Sequence, residues 1–494
     1  MCEKKYIQLV EAHREEMIRD LQTLVRIKSV DELGIHGQPV PFGEGVQQVF
    51  REMLAMGKRE GFDTFNADNY GGHIEWKAPS VDVEAPEVMA ILGHLDVVPE
   101  GSGWEYEPYS AEVKDGRMYG RGTSDNKGPL IAGLYAMKAV KEAGYVPKKT
   151  VRMIMGLDEE TNWDGMEKYL EAAGTPDFGF TPDGEFPLIH GEKGVLTFDI
   201  AAKFPKTAGG AKGLALRSIQ GGTASNSVPD FAKALVFCEE GYEEIRARAA
   251  EFSRETGHKL ACKGRGKSLE ITSEGVSAHG ATPWKGVNAI AILMKFLGQL
   301  NFANEGVGDF IDFFNRCIGA QTNGADMGCG FADEVSGDLV WNTGVIDMTE
   351  EAVQLTINIR YPISCTDDQI YEAMMPLINQ HGYGIVKGSH NAPIYLPVDH
   401  PVVSSLMAAY QEFTGDTESK PMIIGGASYA RAIPNAVCFG MLFPGEEDIM
   451  HQKNESLDLD NMVKATKIFA EAIVRLTEAE LPTAEEVAAA ETAE

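Results

Sequence analysis

The apolar run Val88-Met89-Ala90-Ile91-Leu92-Gly93 restricts the fold more than any other segment of this chain. It carries no charge, and its length suits a strand better than a helix. Runs of this kind form strands buried on both faces of a parallel sheet. The neighbouring sequence supplies helices to cover such a sheet. Residues 127–143 carry a helical pattern, 150–156 read as a second strand, and another helix follows Asn162. Upstream, Ile7, Val10, Met17, Ile18, Leu21, Leu24 and Val25 recur near a 3.6-residue period. A further helical pattern over 45–59 has Gly61 as its stop signal. Strand and helix alternate, which predicts an α/β domain over residues 1–194.

Beyond Val195 the pattern changes. Leu196-Thr197-Phe198-Asp199-Ile200, 269–272 and 354–359 alternate apolar with polar residues, as half-exposed antiparallel strands do. Helical patterns lie between them at 230–256, 286–300 and 367–380. Residues 195–393 are therefore expected to be an inserted α+β domain with two strand–helix halves. The α/β texture resumes after Pro393, with a helix over 401–414, a strand through 436–442 and a final helix over 460–479. The first domain is thus expected to be 1–194 plus 394–479. The Ala- and Glu-rich tail, 480–494, has little to bury and reads as disordered.

Bulk properties limit the function. At 494 residues the chain exceeds what one core usually supports. Lys and Arg total 44 against 74 Asp and Glu, a formal charge of −30. Such a surface repels phosphate backbones and anionic membranes, so neither nucleic acid nor a membrane is expected as a partner. No stretch approaches the ~20 apolar residues that span a bilayer. Met1-Cys2-Glu3-Lys4-Lys5 runs straight into an amphipathic pattern, without the features of a secretory signal. The expected location is the cytoplasm. The seven cysteines include no Cys-x-x-Cys pair and suit neither a disulfide framework nor a thiolate zinc site.

Five histidines and carboxylates fall at loop positions after separate strand-like runs. Gly93-His94-Leu95-Asp96 follows the first buried strand, and ligands of open α/β sheets bind at strand carboxyl ends. His94 is a candidate metal ligand there, and Asp96 a candidate partner for its other ring nitrogen. Asp125, in Tyr119-Gly120-Arg121-Gly122-Thr123-Ser124-Asp125-Asn126-Lys127-Gly128-Pro129, stands just before a helix. It can be a helix cap, or a carboxylate that bridges two cations. Leu157-Asp158-Glu159-Glu160-Thr161 ends the strand over 150–156, and adjacent carboxylates there point in different directions. Phe180-Thr181-Pro182-Asp183-Gly184-Glu185 and Gly445-Glu446-Glu447-Asp448-Ile449-Met450-His451 supply Asp183 and His451. Each segment alone also reads as an ordinary turn. Two imidazoles and three carboxylates together form a donor set suited to zinc or manganese.

The ordered set of Gly-His-Leu-Asp, Gly-x-x-Asp-x-Lys-Gly, Asp-Glu-Glu, Pro182-Asp183, His279-Gly280-Ala281-Thr282-Pro283 and His451 resembles the aminoacylase/glutamate-carboxypeptidase family of two-metal peptidases. Within that family it is most similar to the PepV-type dipeptidases, over residues 5–478. The resemblance implies an α/β catalytic domain with a mostly parallel central sheet, interrupted by a large α+β lid of two ferredoxin-like halves. It implies that His94 and Asp183 bind one cation, Glu160 and His451 the other, and that Asp125 bridges them. Asp96 would orient His94, and Glu159 would be the general base toward a metal-bridging water. The resemblance also implies a cis peptide at Asp125–Asn126.

His279 on its own reads as a loop histidine; the resemblance makes it the residue that stabilises the oxyanion. Asn226, in Ser225-Asn226-Ser227-Val228-Pro229-Asp230, would be a further lid contact with substrate. Arg360, in Asn358-Ile359-Arg360-Tyr361-Pro362, would clamp the free carboxylate, which suits its bidentate fork. Gly426 and Ser428, in Gly425-Gly426-Ala427-Ser428-Tyr429-Ala430-Arg431, would lie in a glycine-rich loop near that carboxylate. The implied activity is hydrolysis of unblocked dipeptides with two divalent cations, zinc foremost, manganese or cobalt as alternatives. The doubled lid would stand where dimeric relatives have a partner subunit, so a monomer is expected. Two other readings stay open: an amidohydrolase of N-acyl amino acids or succinyl-diaminopimelate, and a non-catalytic metal-dependent binding protein.

Overall fold

A computed structural model describes residues 4–32, 39–79, 86–206, 213–239 and 241–481. The expected disordered tail falls, from residue 482 on, outside the described residues. The chain divides into two compact units, one of Met1–His190, Leu396–Met422 and Ser428–Glu494, the other of Gly191–Tyr395 with Ile423–Ala427.

Val88–His94 is the centre of the first unit. It pairs in parallel with Thr150–Gly156 on one side and Phe178–Thr181 on the other. Ala436–Cys438 adds in parallel to Phe178–Thr181. These four parallel strands are flanked by antiparallel ones. Gly72–Trp76 and Asp63–Asn66 continue beyond Thr150–Gly156, and Cys438 pairs antiparallel with Ile189 at the other side. Met89, Ala90, Ile91 and Leu92 are all at 0% exposure. Side chains of both parities are buried, and each large one contributes ~1.5–3 kcal/mol. Lys127–Glu142 packs against Leu459–Glu478 and the amino-terminal helices. Nearly all its side chains are buried, and Gly144 (φ +88°) closes it in a conformation that favours glycine. The amino-terminal helical pattern resolves into two helices, Lys5–Ala12 and Arg14–Val25.

The second unit contains one eight-stranded antiparallel sheet. Its order is Leu260–Arg265, Ser268–Glu274, Phe231–Phe237, Ala215–Gly221, Val340–Met348, Ala352–Tyr361, Gly194–Lys203 and Gly384–Asn391. Two four-stranded halves join where Ala215–Gly221 pairs with Val340–Met348. They are nested in the sequence rather than tandem. Residues 215–274 build one half, while the other combines Gly194–Lys203 with strands that return only from residue 340 on.

One expected helix is corrected here. Residues 230–256 hold a strand, Phe231–Phe237, and only then a helix, Glu243–Thr256. Ala, Lys and Leu in this stretch favour helix. Yet Ala232, Ala234 and Val236 alternate inward, and the strand pairs on both sides, so tertiary pairing overrides propensity. The helix expected over 286–300 is shorter, Ala289–Leu297, because Asn288 caps it by accepting the Ile290 and Ala291 amides. Asp367–Gln380 matches the expected helix and begins at a capping box of Thr366 and Gln369. Among the described residues, no helix is long and apolar enough to cross a membrane.

Candidate metal centre

Parallel pairing puts the carboxyl ends of neighbouring strands at one edge of the sheet. His94 is the last residue of its strand and pairs with Gly156, so the turn Asp158-Glu159-Glu160 starts beside it. Asp183 follows Phe178–Thr181 by two residues on His94's other side. Asp125 arrives from the glycine-rich turn before Lys127–Glu142, and the Asp125–Asn126 peptide is cis, as the resemblance implies. His451 arrives from the loop after Met441–Leu442 with φ +62°.

Asp125 is the hub of this group. Its Oδ1 lies 2.9 Å from His94 Nε2, and its Oδ2 lies 2.9 Å from His451 Nε2. His451 Nε2 is also 3.1 Å from Glu160 Oε1, and His94 Nε2 is 3.6 Å from Asp183 Oδ2. Donor atoms of His94, Asp125 and Glu160 lie within 4.8 Å of one another, as do those of His94, Glu159 and Asp183. His94 Nε2 is buried and makes no aligned hydrogen bond, despite its short distance to Asp125. A buried imidazole nitrogen aimed into carboxylates without a hydrogen bond fits a cation ligand. Two imidazoles with carboxylate oxygens are also a donor set for a borderline divalent ion.

The electrostatics agree. Burial opposes a charge on His94, but Asp125, Asp183 and Asp96 outweigh it and hold the ring well above its ordinary range. Asp125 and Glu160 push His451 up to about 11 against burial. Burial lifts the Glu159 carboxyl well above the usual carboxylate range; Asp183, Glu160 and Asp96 add to this and His94 opposes it. An excess of carboxylates around two imidazoles is a field that positive charge relieves, whether the charge is a proton or a metal ion.

Neighbouring groups set the orientation of the cluster. His94 Nδ1 lies 3.0 Å from the Asp96 carbonyl oxygen and 3.5 Å from its carboxylate, so Asp96 meets the ring chiefly through its main chain. The Asp96 carboxylate instead accepts the Glu160 amide at 3.0 Å. Asn126 Nδ2 donates to Asp183 Oδ1 at 3.0 Å. The Trp163 indole donates to the Glu159 carbonyl at 2.7 Å. Tyr429, fully buried, stands edge-on to His94 and Trp163 and donates to Asp158 at 3.4 Å. Its ring fills the space beside Gly156, where an added Cβ would come within 2.2 Å of it. Sequence spacing gives no sign of Tyr429, nor of the buried pair Arg121 and Glu455 that lies under the Asp125 turn.

The remaining expected site residues, except Ser428, belong to the second unit. Asn226 and His279 sit on adjoining segments: Gly280 N donates to the Asn226 carbonyl at 2.7 Å, and Ser227 bridges to His279. Asn342, not singled out by the sequence, donates to the Ser225 and Ser227 carbonyls at 2.7 and 3.0 Å and so fixes the turn that carries Asn226. Arg360 is buried near the end of Ala352–Tyr361. Gly425 faces both Arg360 and Ala281, which brings the glycine-rich loop with Gly426 next to the His279 segment. Ser428 lies in the first unit, where its hydroxyl accepts the Ala430 amide as a helix cap and contacts Cys438 Sγ at 2.9 Å.

The model of peptidase family M20/M25/M40 matches residues 90–475. A Bacillus subtilis (strain 168) protein named "Putative dipeptidase YtjP" is 36% identical over 465 residues, covering 94% of this chain and 97% of that one. A Staphylococcus haemolyticus relative, "Putative dipeptidase SH1171", is 35% identical over 470 residues, with 94% and 98% covered. Among solved structures, the di-peptidase Dug1p of Saccharomyces cerevisiae aligns with a TM-score of 0.55 at 13% identity, over 96% of this chain and 98% of that one. Human carnosine dipeptidase 1 aligns with a TM-score of 0.53 at 16% identity, over 96% and 99%. At these identities the structural likeness speaks for the fold.

Proposed function

We propose, from the premise that the chain belongs to peptidase family M20/M25/M40, that it hydrolyses unblocked dipeptides with a pair of divalent cations. The observation that carries this reading is Asp125, whose two oxygens each lie 2.9 Å from a different imidazole. A carboxylate so placed can share itself between two cations, one held by His94 and Asp183 and the other by Glu160 and His451. When bound, the cations lower the pKa of a water toward ~7 and neutralise developing negative charge.

The protein's own part in the reaction is proton movement and orientation. Glu159, half-buried beside His94 and Asp183, takes a proton from the attacking water and passes it to the leaving amine. His279 is proposed to stabilise the oxyanion, and Arg360 to bind the free carboxylate, with Asn226, Gly426 and Ser428 as further substrate contacts. The names of the relatives favour dipeptides over N-acyl amino acids. Zinc is the proposed metal, and we propose a monomer located in the cytoplasm; a stable dimer at micromolar concentration in light scattering would overturn the monomer.

The deciding experiment is release of free amino acids from a dipeptide panel by metal-stripped protein refilled with zinc, manganese or cobalt. Metal-restored cleavage of dipeptides, but not of tripeptides or N-acetyl amino acids, is the expected result. Activity confined to N-acyl substrates would move the function to deacylation. Metal uptake with no hydrolysis of either class would favour a binding protein.

A further inference from the structure

Glu455 is at 0% exposure, four residues after His451. A buried carboxylate is costly unless it is fully paired, and this one is surrounded by donors. Arg121 Nη1 donates to its Oε2 at 2.7 Å, and Gly122 N lies 3.1 Å from both oxygens. Its Oε1 accepts Ser124 N at 2.9 Å, Ser124 Oγ at 3.0 Å and Asp125 N at 3.2 Å. The Glu455 carbonyl also accepts Gly120 N at 2.9 Å. The turn from 120 to 125 is therefore wound round one side chain, its amides converging as in an anion-binding nest. Gly122 sits at φ +87°, and a Cβ there would meet Val97 at 2.9 Å.

The same short segment, 451–455, grips Asp125 from two directions. His451 reaches the Asp125 side chain, and Glu455 accepts the Asp125 amide. We propose that Glu455, with Arg121, is a positioning residue that fixes the main chain of Asp125 so that its carboxylate stands between the two cations. This inference rests on the proposed two-cation reading of Asp125. Charge and shape are both needed. A glutamine in the same place turns an NH₂ toward Arg121 Nη1 and Gly122 N, both of which are donors, so the turn must shift.

The test uses full-length protein stripped of metal. Zinc is titrated into wild type, Glu455→Asp, Glu455→Gln and the double variant Arg121→Met/Glu455→Gln. The double variant removes both charges of the Arg121–Glu455 pair together, so it addresses positioning apart from the folding loss of a half-broken ion pair. The visible spectrum of cobalt-loaded protein reports ligand geometry independently of turnover. The proposal expects ~10–100-fold weaker metal binding in the double variant, as for loss of an outer partner of a ligand, with an altered cobalt spectrum. Partial recovery is expected in Glu455→Asp, which keeps the charge. A double variant that binds two cations with wild-type affinity and spectrum overturns the positioning role and leaves the two-cation function standing. A wild type that takes up no more than one cation overturns both.

Discussion

Glu159 and Glu160 are chain neighbours whose carboxylates are assigned different work, and a Glu→Gln exchange at each separates them. The bonds that hold this turn use the main chain: Trp163 donates to the Glu159 carbonyl, and the Glu160 amide donates to Asp96. An isosteric amide at either position therefore leaves the turn in place. Glu160 Oε1 lies 3.1 Å from His451 Nε2, the same nitrogen that lies 2.9 Å from Asp125. Glu160→Gln thus removes the charge of a candidate ligand from one of the proposed cation sites. Loss of an outer partner alone costs ~10–100-fold in metal affinity, so at least about 100-fold is expected for that cation. Glu159→Gln is expected to keep both cations and lower kcat by about 10²–10⁴-fold, about 3–5 kcal/mol, with KM little changed. Equilibrium dialysis with elemental analysis counts the metals, and steady-state kinetics on a dipeptide gives the rates. Glu159 also groups with His94 and Asp183, so the reverse outcome is informative. One retained cation in Glu159→Gln and two in Glu160→Gln would exchange the roles and refute the assigned base.

Gly156→Ala should force the Tyr429 ring aside, since the new Cβ falls within 2.2 Å of a fully buried side chain. The expected cost is ~1–3 kcal/mol, read as a lower thermal midpoint, together with weaker metal binding because Tyr429 stands against His94. Asn342→Ala strips the donor from the Ser225 and Ser227 carbonyls; we expect ~1–3 kcal/mol of destabilisation and lower kcat/KM with unchanged metal content in dialysis. Burial, with Arg152 and Lys77 adding, holds the His73 imidazole down at about 3, below its unfolded value of ~6.5. The unfolded chain therefore takes up this proton first. Stability present above about pH 6.5 should fall as pH drops toward 3, by at most ~1.4 kcal/mol per unit, and urea midpoints should show a shallower fall in His73→Gln. Chelation of the metals should lower the thermal midpoint and make it depend on free zinc, with about 2.7 kcal/mol regained at 100 times Kd.

What the sequence reveals about this chain depends on how far a signal must reach. The strand at Val88–His94 is legible because burial on both faces demands apolar side chains at every position, with no partner specified. Asp367–Gln380 is legible because a helical period is local, repeating within each pair of turns. The strand Phe231–Phe237 is misread because its composition favours helix and only its neighbours, Ser268–Glu274 and Ala215–Gly221, make it a strand. The nesting of the two antiparallel halves is hidden for the same reason: local alternation identifies strands but not their order.

The candidate metal cluster follows this logic in both directions. His94, Glu159, Glu160 and Asp183 are legible as candidates because each ends or closely follows a strand of one parallel array, and parallel register delivers such ends to one edge. The groups that anchor them obey no spacing rule. Glu455 reaches the Gly122 amide across 333 residues, and Tyr429 reaches Asp158 across 271. A candidate ligand drawn from a turn has no regular backbone to fix it, so the Asp125 turn needs an anchor from elsewhere in the fold. Both the proposed anchor, Glu455, and another candidate ligand, His451, come from one late segment. The carboxyl-terminal part of the chain therefore completes the geometry of a candidate site that begins at residue 94, and loss of that segment should abolish metal binding before it unfolds the parallel core.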